Sequence, residues 1–186
     1  MNKNIQDYVK VYKNILGPDI CDSTVQHLES CEFETHKFYN VRTGEYVYHE
    51  LEPSTHLGLA PLNDDIMLAT RNAILMYLTE LNFKWFNSWE GFRSPKFNKY
   101  MPGTKMTEHC DHISDLFDGT RKGIPILTAV GLLNDNFEGG DFVMFQNEKY
   151  ELTKGDIILF PANFVYPHLV DTVTSGIRYS YASWVW

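Results

Sequence analysis

The stretch ILTAVGLLNDNFEGGDFVMF, residues 126–145, holds two apolar runs of strand length separated by Asn, Asp and Gly. Short apolar runs bounded by turn-forming residues predict β-strands. The pattern continues towards the C-terminus, with the further runs DIILFP (156–161), FVYPHLV (164–170) and IRYSYASWVW (177–186). Several short strands with regular turn signals are typical of a β-sandwich or a barrel, so this half of the chain predicts a sheet-rich domain.

The part of the chain before these strands has a mixed pattern. Residues 4–16 alternate enough to predict a short opening strand. Asp19 or Asp22 is expected to cap a short helix that runs to about Ser30. Together with a longer helix described next, these elements place helices first and strands afterwards. That order favours an α+β fold with helices packed on one face of a sheet.

The clearest helix lies between Asn63 and Leu81, where apolar residues recur at helical spacing. Asn63 and Asp64 are expected to supply its N-cap. We interpret this helix as a structural buttress for the sheet. The fold class predicted from the sequence is therefore α+β and mainly β, in a single domain. Residues 1–84 form its supporting region, and residues 85–186 form its core.

Composition and charge exclude several classes of protein. The chain has 186 residues, of which 44% are hydrophobic and 22% charged, as in an ordinary soluble domain. Its net charge of −8 argues against a protein that mainly grips phosphate backbones. Three cysteines without a C-x-x-C motif argue against a disulfide framework or a zinc knuckle. The N-terminal residues 1–16 have scattered charges and no long apolar run, so we expect a cytoplasmic protein without a signal peptide or membrane helix.

A possible metal site begins at His109-Cys110-Asp111. Residues i and i+2 of a strand point to the same face, so the imidazole and the carboxylate are expected to converge. His168, 57 residues after Asp111, is far enough along the chain to return on another strand as the third ligand. Two histidines and one carboxylate form the facial triad that holds Fe(II) and leaves coordination positions open. The H-x-D motif alone is too short to be specific, and the neighbouring His112 is expected to face away from His109.

Arg178 strengthens this hypothesis because it follows His168 by ten residues, across an expected hairpin turn at residues 174–176. A three-residue loop would pair Thr172 with Arg178 and direct His168 and Arg178 to the same side. The two would then lie on the order of 13 Å apart along the strand. This spacing suits a dicarboxylate that chelates the metal at one end and meets a guanidinium at the other.

Together these residues resemble the core of the Fe(II)- and 2-oxoglutarate-dependent dioxygenases. The surrounding sequence is most similar to the prolyl 4-hydroxylase branch of that family. The similarity covers about residues 85–186 and rests on KYMPGTKMTEHCDH (99–112), LTAVGLLND (127–135), FEGGDFVMF (137–145), KGDIILFP (154–161) and the segment from PHLV to GIRYSYASWVW (167–186). Each motif is weak by itself, but their order and spacing fit the family.

The resemblance implies a double-stranded β-helix, or jelly-roll, with supporting helices. It implies that His109, Asp111 and His168 bind Fe(II) and that Arg178 binds the distal carboxylate of the co-substrate 2-oxoglutarate. O2 is the second co-substrate, and ascorbate is expected as a supporting reductant. By the same resemblance, the co-substrate pocket is lined by Tyr100, Thr128 and Trp184.

The implied reaction is hydroxylation of a C–H bond, with release of succinate and CO2. The prolyl 4-hydroxylase branch favours a prolyl residue of a peptide or protein as the substrate, and the segment His36–His56 is expected to form the entrance. Two alternatives stay open: an oxygenase that acts on a free amino acid or other small molecule, and a jelly-roll binding module without catalysis. A nucleic-acid substrate is disfavoured, because related demethylases use a further arginine and none follows Arg178.

Overall fold

The computed structural model describes residues 4–40, 43–48, 51–58, 62–83, 91–111 and 125–186. A 3-10 turn at Ile5–Tyr8 opens the described part of the chain. The two helices are α1 (Pro18–Glu29) and α2 (Asn63–Leu81). The strands are β1 (Lys10–Tyr12), β2 (Glu34–Thr35), β3 (Lys37–Asn40), β4 (Glu45–Tyr48), β5 (Ser54–His56), β6 (Lys96–Tyr100), β7 (Met106–His109), β8 (Leu127–Leu132), β9 (Phe137–Gly139), β10 (Phe142–Met144), β11 (Glu148–Tyr150), β12 (Ile157–Pro161), β13 (His168–Val170), β14 (Val173–Gly176) and β15 (Arg178–Val185).

Both predicted helices are present, but their N-caps differ from the prediction. Helix α1 begins at Pro18 with Gly17 as its N-cap, so neither Asp19 nor Asp22 caps it. Proline suits this first position because its missing N–H would have no partner there and its φ is already helical. Helix α2 spans the predicted residues, but its N-cap is Leu62, without a side-chain cap. Neither described helix is long and apolar enough to cross a membrane.

Two main antiparallel sheets form the body of the protein. The larger has seven strands in the order β1-β12-β8-β15-β6-β5-β2, and the smaller has four in the order β11-β10-β13-β7. Strands β14 and β9 form one separate pair, and β3 and β4 form another. This mainly β architecture with two helices is a jelly-roll, as the sequence predicted. The opening strand is shorter than predicted, since only Lys10–Tyr12 of residues 4–16 is extended and pairs with β12.

The core has two parts, and β12 contributes to both. Ile157 and Leu159 belong to a cluster with the buried faces of α1 and α2. Ile158 and Phe160 belong to a second cluster, which contains residues of the larger and the smaller sheet. Because side chains alternate between the faces of a strand, a strand buried on both sides needs apolar residues at every position. This requirement explains the uninterrupted apolar run in β12. It also fits the predicted supporting role of α2, which packs against one face of the sheet.

The predicted hairpin before Arg178 is wrong. Residues Val173–Gly176 form the strand β14, which pairs with β9. His168 and Arg178 also lie in different sheets, because β13 pairs with β10 and β7 whereas β15 pairs with β6 and β8. The pairing partner of Arg178 is accordingly Tyr100 rather than Thr172. The two residues predicted to share a face along one hairpin therefore reach the site from separate sheets.

Candidate metal centre and co-substrate site

His109, Asp111 and His168 lie together, as the sequence predicted, at one end of the smaller sheet. His109 is the last residue of β7, and its Cα pairs with that of His168, the first residue of β13. Asp111 lies beyond the end of β7, so the two residues of the H-x-D motif do not share a strand as predicted. The ligand atoms of the three side chains nevertheless lie within 4.8 Å of one another.

The carboxylate of Asp111 approaches Nε2 of both imidazoles, whose ring centroids are 4.4 Å apart. Its Oδ1 is 3.6 Å from Nε2 of His109, and its Oδ2 is 3.7 Å from Nε2 of His168. The opposite ring nitrogens face backbone carbonyls: Nδ1 of His109 is 2.8 Å from the Thr107 oxygen, and Nδ1 of His168 is 3.2 Å from the Tyr166 oxygen. A carbonyl oxygen can only accept, so each Nδ1 carries the proton and leaves Nε2 available for a metal.

Hydrogen bonding and packing fix these side chains further. The Thr128 hydroxyl donates to Oδ2 of Asp111 at 2.6 Å, in a fully buried position. The ring of Phe142 stacks on His168 with centroids 5.5 Å apart, and the ring of Phe160 meets the same imidazole edge-on at 4.8 Å. The candidate metal ligands are therefore held by a second layer of contacts, which is typical of protein metal sites.

Two of the three candidate ligands, Asp111 and His168, are held in the protonation state that a divalent cation requires. Burial by itself raises the pKa of the Asp111 carboxyl, but His168, His109 and the Thr128 hydroxyl outweigh it and hold that pKa well below its usual range. Burial lowers the pKa of His168 to about 4. Asp111 is thus ionised and His168 neutral at physiological pH, which are the forms that bind metals. Burial by itself lowers the pKa of His109, but its hydrogen bond to Asp111 and the charge of Asp111 outweigh burial and raise that pKa. Two imidazoles and one carboxylate fit Fe(II) and leave its remaining coordination positions for other ligands.

A cavity of about 120 Å³ opens beside the three metal-ligand candidates. Tyr100 and Trp184 contribute aromatic walls, and His36, Lys37 and Lys96 lie on its lining as well. This volume accommodates several water molecules and hence a small polar ligand. His36 and Lys37 belong to the predicted entrance segment His36–His56, and His112 lies outside the described residues.

Arg178 is buried and contacts two residues that line this cavity, Tyr100 and Ser180, although it is not a lining residue itself. It is 1% exposed, and its Nη1 donates to the Ser180 hydroxyl at 2.9 Å. Its guanidinium carbon lies 5.0 Å from the ring centroid of Tyr100. Its Nε is buried without a hydrogen-bond partner among the described residues. A buried cation with an unpaired donor costs free energy unless an anion completes it, so Arg178 fits the carboxylate end of a dicarboxylate.

Gly140 makes room for the Arg178 side chain. The backbone of Gly140 has a φ of +66°, and a Cβ there would lie 2.9 Å from Cδ of Arg178. Any other residue would be strained in this conformation and would crowd the arginine. The glycine pair before β10 therefore helps to place Arg178 as well as to turn the chain.

The other two predicted pocket residues have different surroundings. Trp184 lines the cavity, and its indole Nε1 is buried without a hydrogen-bond partner among the described residues. Thr128, whose Cα pairs with that of Trp184, contacts the metal ligand Asp111 through its hydroxyl. It was predicted to line the co-substrate pocket, but its observed contact belongs to the metal centre.

Two residues near the candidate site, Ser180 and Glu52, were not predicted from the sequence. Ser180 lines the cavity and bonds to Arg178, two residues earlier on the same strand face. The i, i+2 spacing could have identified it. Glu52 accepts two hydrogen bonds from Thr107, in the strand of His109. Nothing local in the sequence marks Glu52, because its partner is 55 residues away.

Comparison with known proteins agrees with this geometry. Residues 95–186 match the family model of the 2OG-Fe(II) oxygenase superfamily. A search of curated proteins finds no match. Among solved structures, a prolyl hydroxylase from Trichoplax adhaerens, in complex with a hypoxia inducible factor oxygen degradation domain peptide fragment, is 17% identical, with a TM-score of 0.70 over 96% of this chain and 83% of that one.

Two further structures are similar over almost the whole chain. A Pseudomonas putida prolyl-4-hydroxylase is 19% identical, with a TM-score of 0.66 over 96% of this chain and 91% of that one. A viral collagen prolyl hydroxylase from Paramecium Bursaria Chlorella virus-1, solved as a 2OG complex, is 18% identical, with a TM-score of 0.64 and 98% of each chain covered. At this level of identity, the likeness establishes the shared fold.

Proposed function

We propose that this protein, whose residues 95–186 match the family model of the 2OG-Fe(II) oxygenase superfamily, is an Fe(II)- and 2-oxoglutarate-dependent dioxygenase. We propose further that it hydroxylates a prolyl residue of a peptide or protein, with release of succinate and CO2. One observation carries the proposal. The ligand atoms of His109, Asp111 and His168 lie within 4.8 Å of one another, beside a cavity. Two residues that line this cavity, Tyr100 and Ser180, contact the buried and incompletely paired Arg178.

Each part of this site has a defined task. Nε2 of His109, Nε2 of His168 and the Asp111 carboxylate would hold the iron. Arg178 would pair with the distal carboxylate of 2-oxoglutarate, since its planar fork matches a carboxylate. When bound, iron and 2-oxoglutarate supply the oxidising chemistry that the side chains lack. The chain itself orients the ligands through Thr128 and keeps water from the buried end of the site.

The prolyl substrate is supported by the similar structures. All three that are described above are prolyl hydroxylases by title, and one holds a peptide fragment. In this chain, a peptide would approach the metal centre past His36, Lys37 and Lys96, which line the same cavity. Three free cysteines fit a reducing compartment, so we propose a cytoplasmic location.

The test is succinate formation from 2-oxoglutarate with Fe(II), ascorbate and O2. Parallel reactions contain proline peptides, matched peptides with alanine in place of proline, free proline or no addition, and mass spectrometry follows incorporation of one oxygen. Proline-dependent succinate together with an oxidised peptide supports the proposal. Oxidation of free proline alone would replace the peptide substrate with a small molecule. No succinate from a protein that binds iron would contradict the dioxygenase activity itself.

A further inference from the structure

Glu52 presents a buried carboxylate that is only half paired. The residue is 4% exposed. Its Oε1 accepts hydrogen bonds from the Thr107 backbone N–H at 3.1 Å and from the Thr107 hydroxyl at 2.6 Å. Its Oε2 is buried and has no hydrogen-bond partner among the described residues. An incompletely paired carboxylate is costly to bury, so a stabilising charge nearby would complete this arrangement.

Glu52 lies at the edge of the smaller sheet, next to β7. Strand β7 is the last strand of that sheet in the described part of the chain, so its outer N–H groups have no strand partner. The Lys105 N–H instead donates to the Leu51 oxygen at 2.7 Å, and the Thr107 N–H donates to Glu52. Residues 51 and 52 therefore occupy the place of a neighbouring strand. They fix the edge of β7 just before His109.

This edge continues directly into the metal centre. The Thr107 oxygen lies 2.8 Å from Nδ1 of His109 and accepts its proton. Glu52 thus holds the residue whose carbonyl sets the tautomer and the direction of the His109 imidazole.

We propose that Glu52 is a positioning residue for the metal ligand His109. Through Thr107 it orients Nε2 of His109 towards the cation, and its incompletely paired carboxylate favours binding of a divalent metal. In turn, the cation compensates the buried charge. This inference rests on the proposed function, because it assumes a divalent metal at the centre formed by His109, Asp111 and His168.

The test measures binding of Co(II) to the full chain by calorimetry, with the visible absorption of the bound ion as a second readout of ligand geometry. Glu52→Gln keeps an oxygen that can accept from Thr107 but removes the charge, whereas Glu52→Ala removes both. We expect affinity to fall in the order wild type, Glu52→Gln, Glu52→Ala. Loss of an outer-layer partner of this kind costs about 10- to 100-fold in metal affinity. A changed Co(II) spectrum is expected in Glu52→Ala.

Asp156 provides a matched control. It is also a buried carboxylate, and it accepts hydrogen bonds from the N–H and the hydroxyl of Thr153 at 2.7 and 2.9 Å. The hydrogen-bond partners given for Asp156 are Thr153, Lys13 and Asn14, and none of them lies in β7 or β13, the strands of the two candidate histidine ligands. Asp156→Asn is expected to lower the melting temperature and to leave Co(II) affinity unchanged. A loss in Asp156→Asn equal to that in Glu52→Ala would show general destabilisation and overturn the inference.

Wild-type Co(II) affinity in both Glu52 variants would likewise overturn it. If Glu52→Ala does not fold, the test uses Glu52→Gln and Thr107→Val instead. Wild-type Co(II) affinity in both of these variants would contradict the positioning role of Glu52. Failure of the wild-type chain itself to bind Co(II) would contradict the proposed function as well. The two failures are therefore distinguishable, because unchanged binding in the variants contradicts only the role of Glu52.

Discussion

Replacement of Arg178 tests the co-substrate end of the site most directly. The side chain is 1% exposed, donates one hydrogen bond to Ser180 and keeps its Nε unpaired among the described residues. Arg178→Lys preserves a positive charge but loses the planar fork. Arg178→Gln loses the charge as well. Comparison of the two variants separates the contribution of charge from that of geometry.

The expected effects follow from the burial of this group. One hydrogen bond to a charged group contributes about 1.5–3 kcal/mol. Loss of the fork in Arg178→Lys should therefore weaken 2-oxoglutarate binding about 10- to 100-fold. Removal of one partner of a buried charge pair costs about 2–5 kcal/mol, so Arg178→Gln should lose about 30-fold or more.

The assay is calorimetric titration of 2-oxoglutarate into Co(II)-loaded protein, which reports binding without turnover. Co(II) affinity is measured in the same variants and should stay at the wild-type value, since Arg178 is not among the metal-ligand candidates. Arg71→Gln, on the exposed face of α2, is the matched control for loss of one positive charge. Wild-type 2-oxoglutarate affinity in Arg178→Gln would refute the assignment of this residue.

Three further predictions concern the metal centre and its surroundings. His168→Ala should abolish stoichiometric Co(II) binding, because it removes one of the three clustered ligands, and retained binding would reject that ligand set. Thr128→Val should weaken Co(II) binding about 10- to 100-fold, since it removes a hydrogen bond to the charged Asp111 and keeps the shape of the side chain. Burial is the main reason that the pKa of His36 falls from 6.5 to about 3, and the charges of Lys96 and His109 lower it further. Between pH 6.5 and about 3, the His36 imidazole therefore takes up a proton in the unfolded state but not in the folded state. The free energy of unfolding should therefore fall as the pH drops below about 6.5, and His36→Gln should reduce that fall in urea titrations; an unchanged slope would contradict it.

The sequence predicted the elements whose signals are local. The apolar periodicity from Asn63 to Leu81 marks α2, because one face of a helix must be apolar to cover a sheet. The run at Ile157–Pro161 marks a strand buried on both sides. The N-caps of the helices were not predicted correctly. An Asp or Asn near the start of a helix can be identified as its N-cap only when the first helical residue is known. At α1 that residue is Pro18.

Features that depend on distant pairing were not predictable in the same way. Thr174-Ser175-Gly176 has the composition of a turn, yet it is part of β14, because β9 supplies a partner strand from residues 137–139. Asp111 converges with His109 even though the strand ends before it. In both cases the decisive contact comes from a part of the chain that a local pattern does not specify.

The packing of the two sheets explains how the candidate site residues converge although the predicted hairpin is absent. The smaller sheet supplies His109 through β7 and His168 through β13, and Asp111 follows the end of β7. The larger sheet supplies Arg178 through β15 and its neighbour Tyr100 through β6. Packed sheets lie about 10 Å apart, so side chains from facing strands reach a common space between them. A short dicarboxylate held by Arg178 would therefore extend across this space towards the metal rather than along one hairpin. The distance between such an anion and the metal would then be set by the packing of the two sheets, to which the second core cluster contributes residues of both.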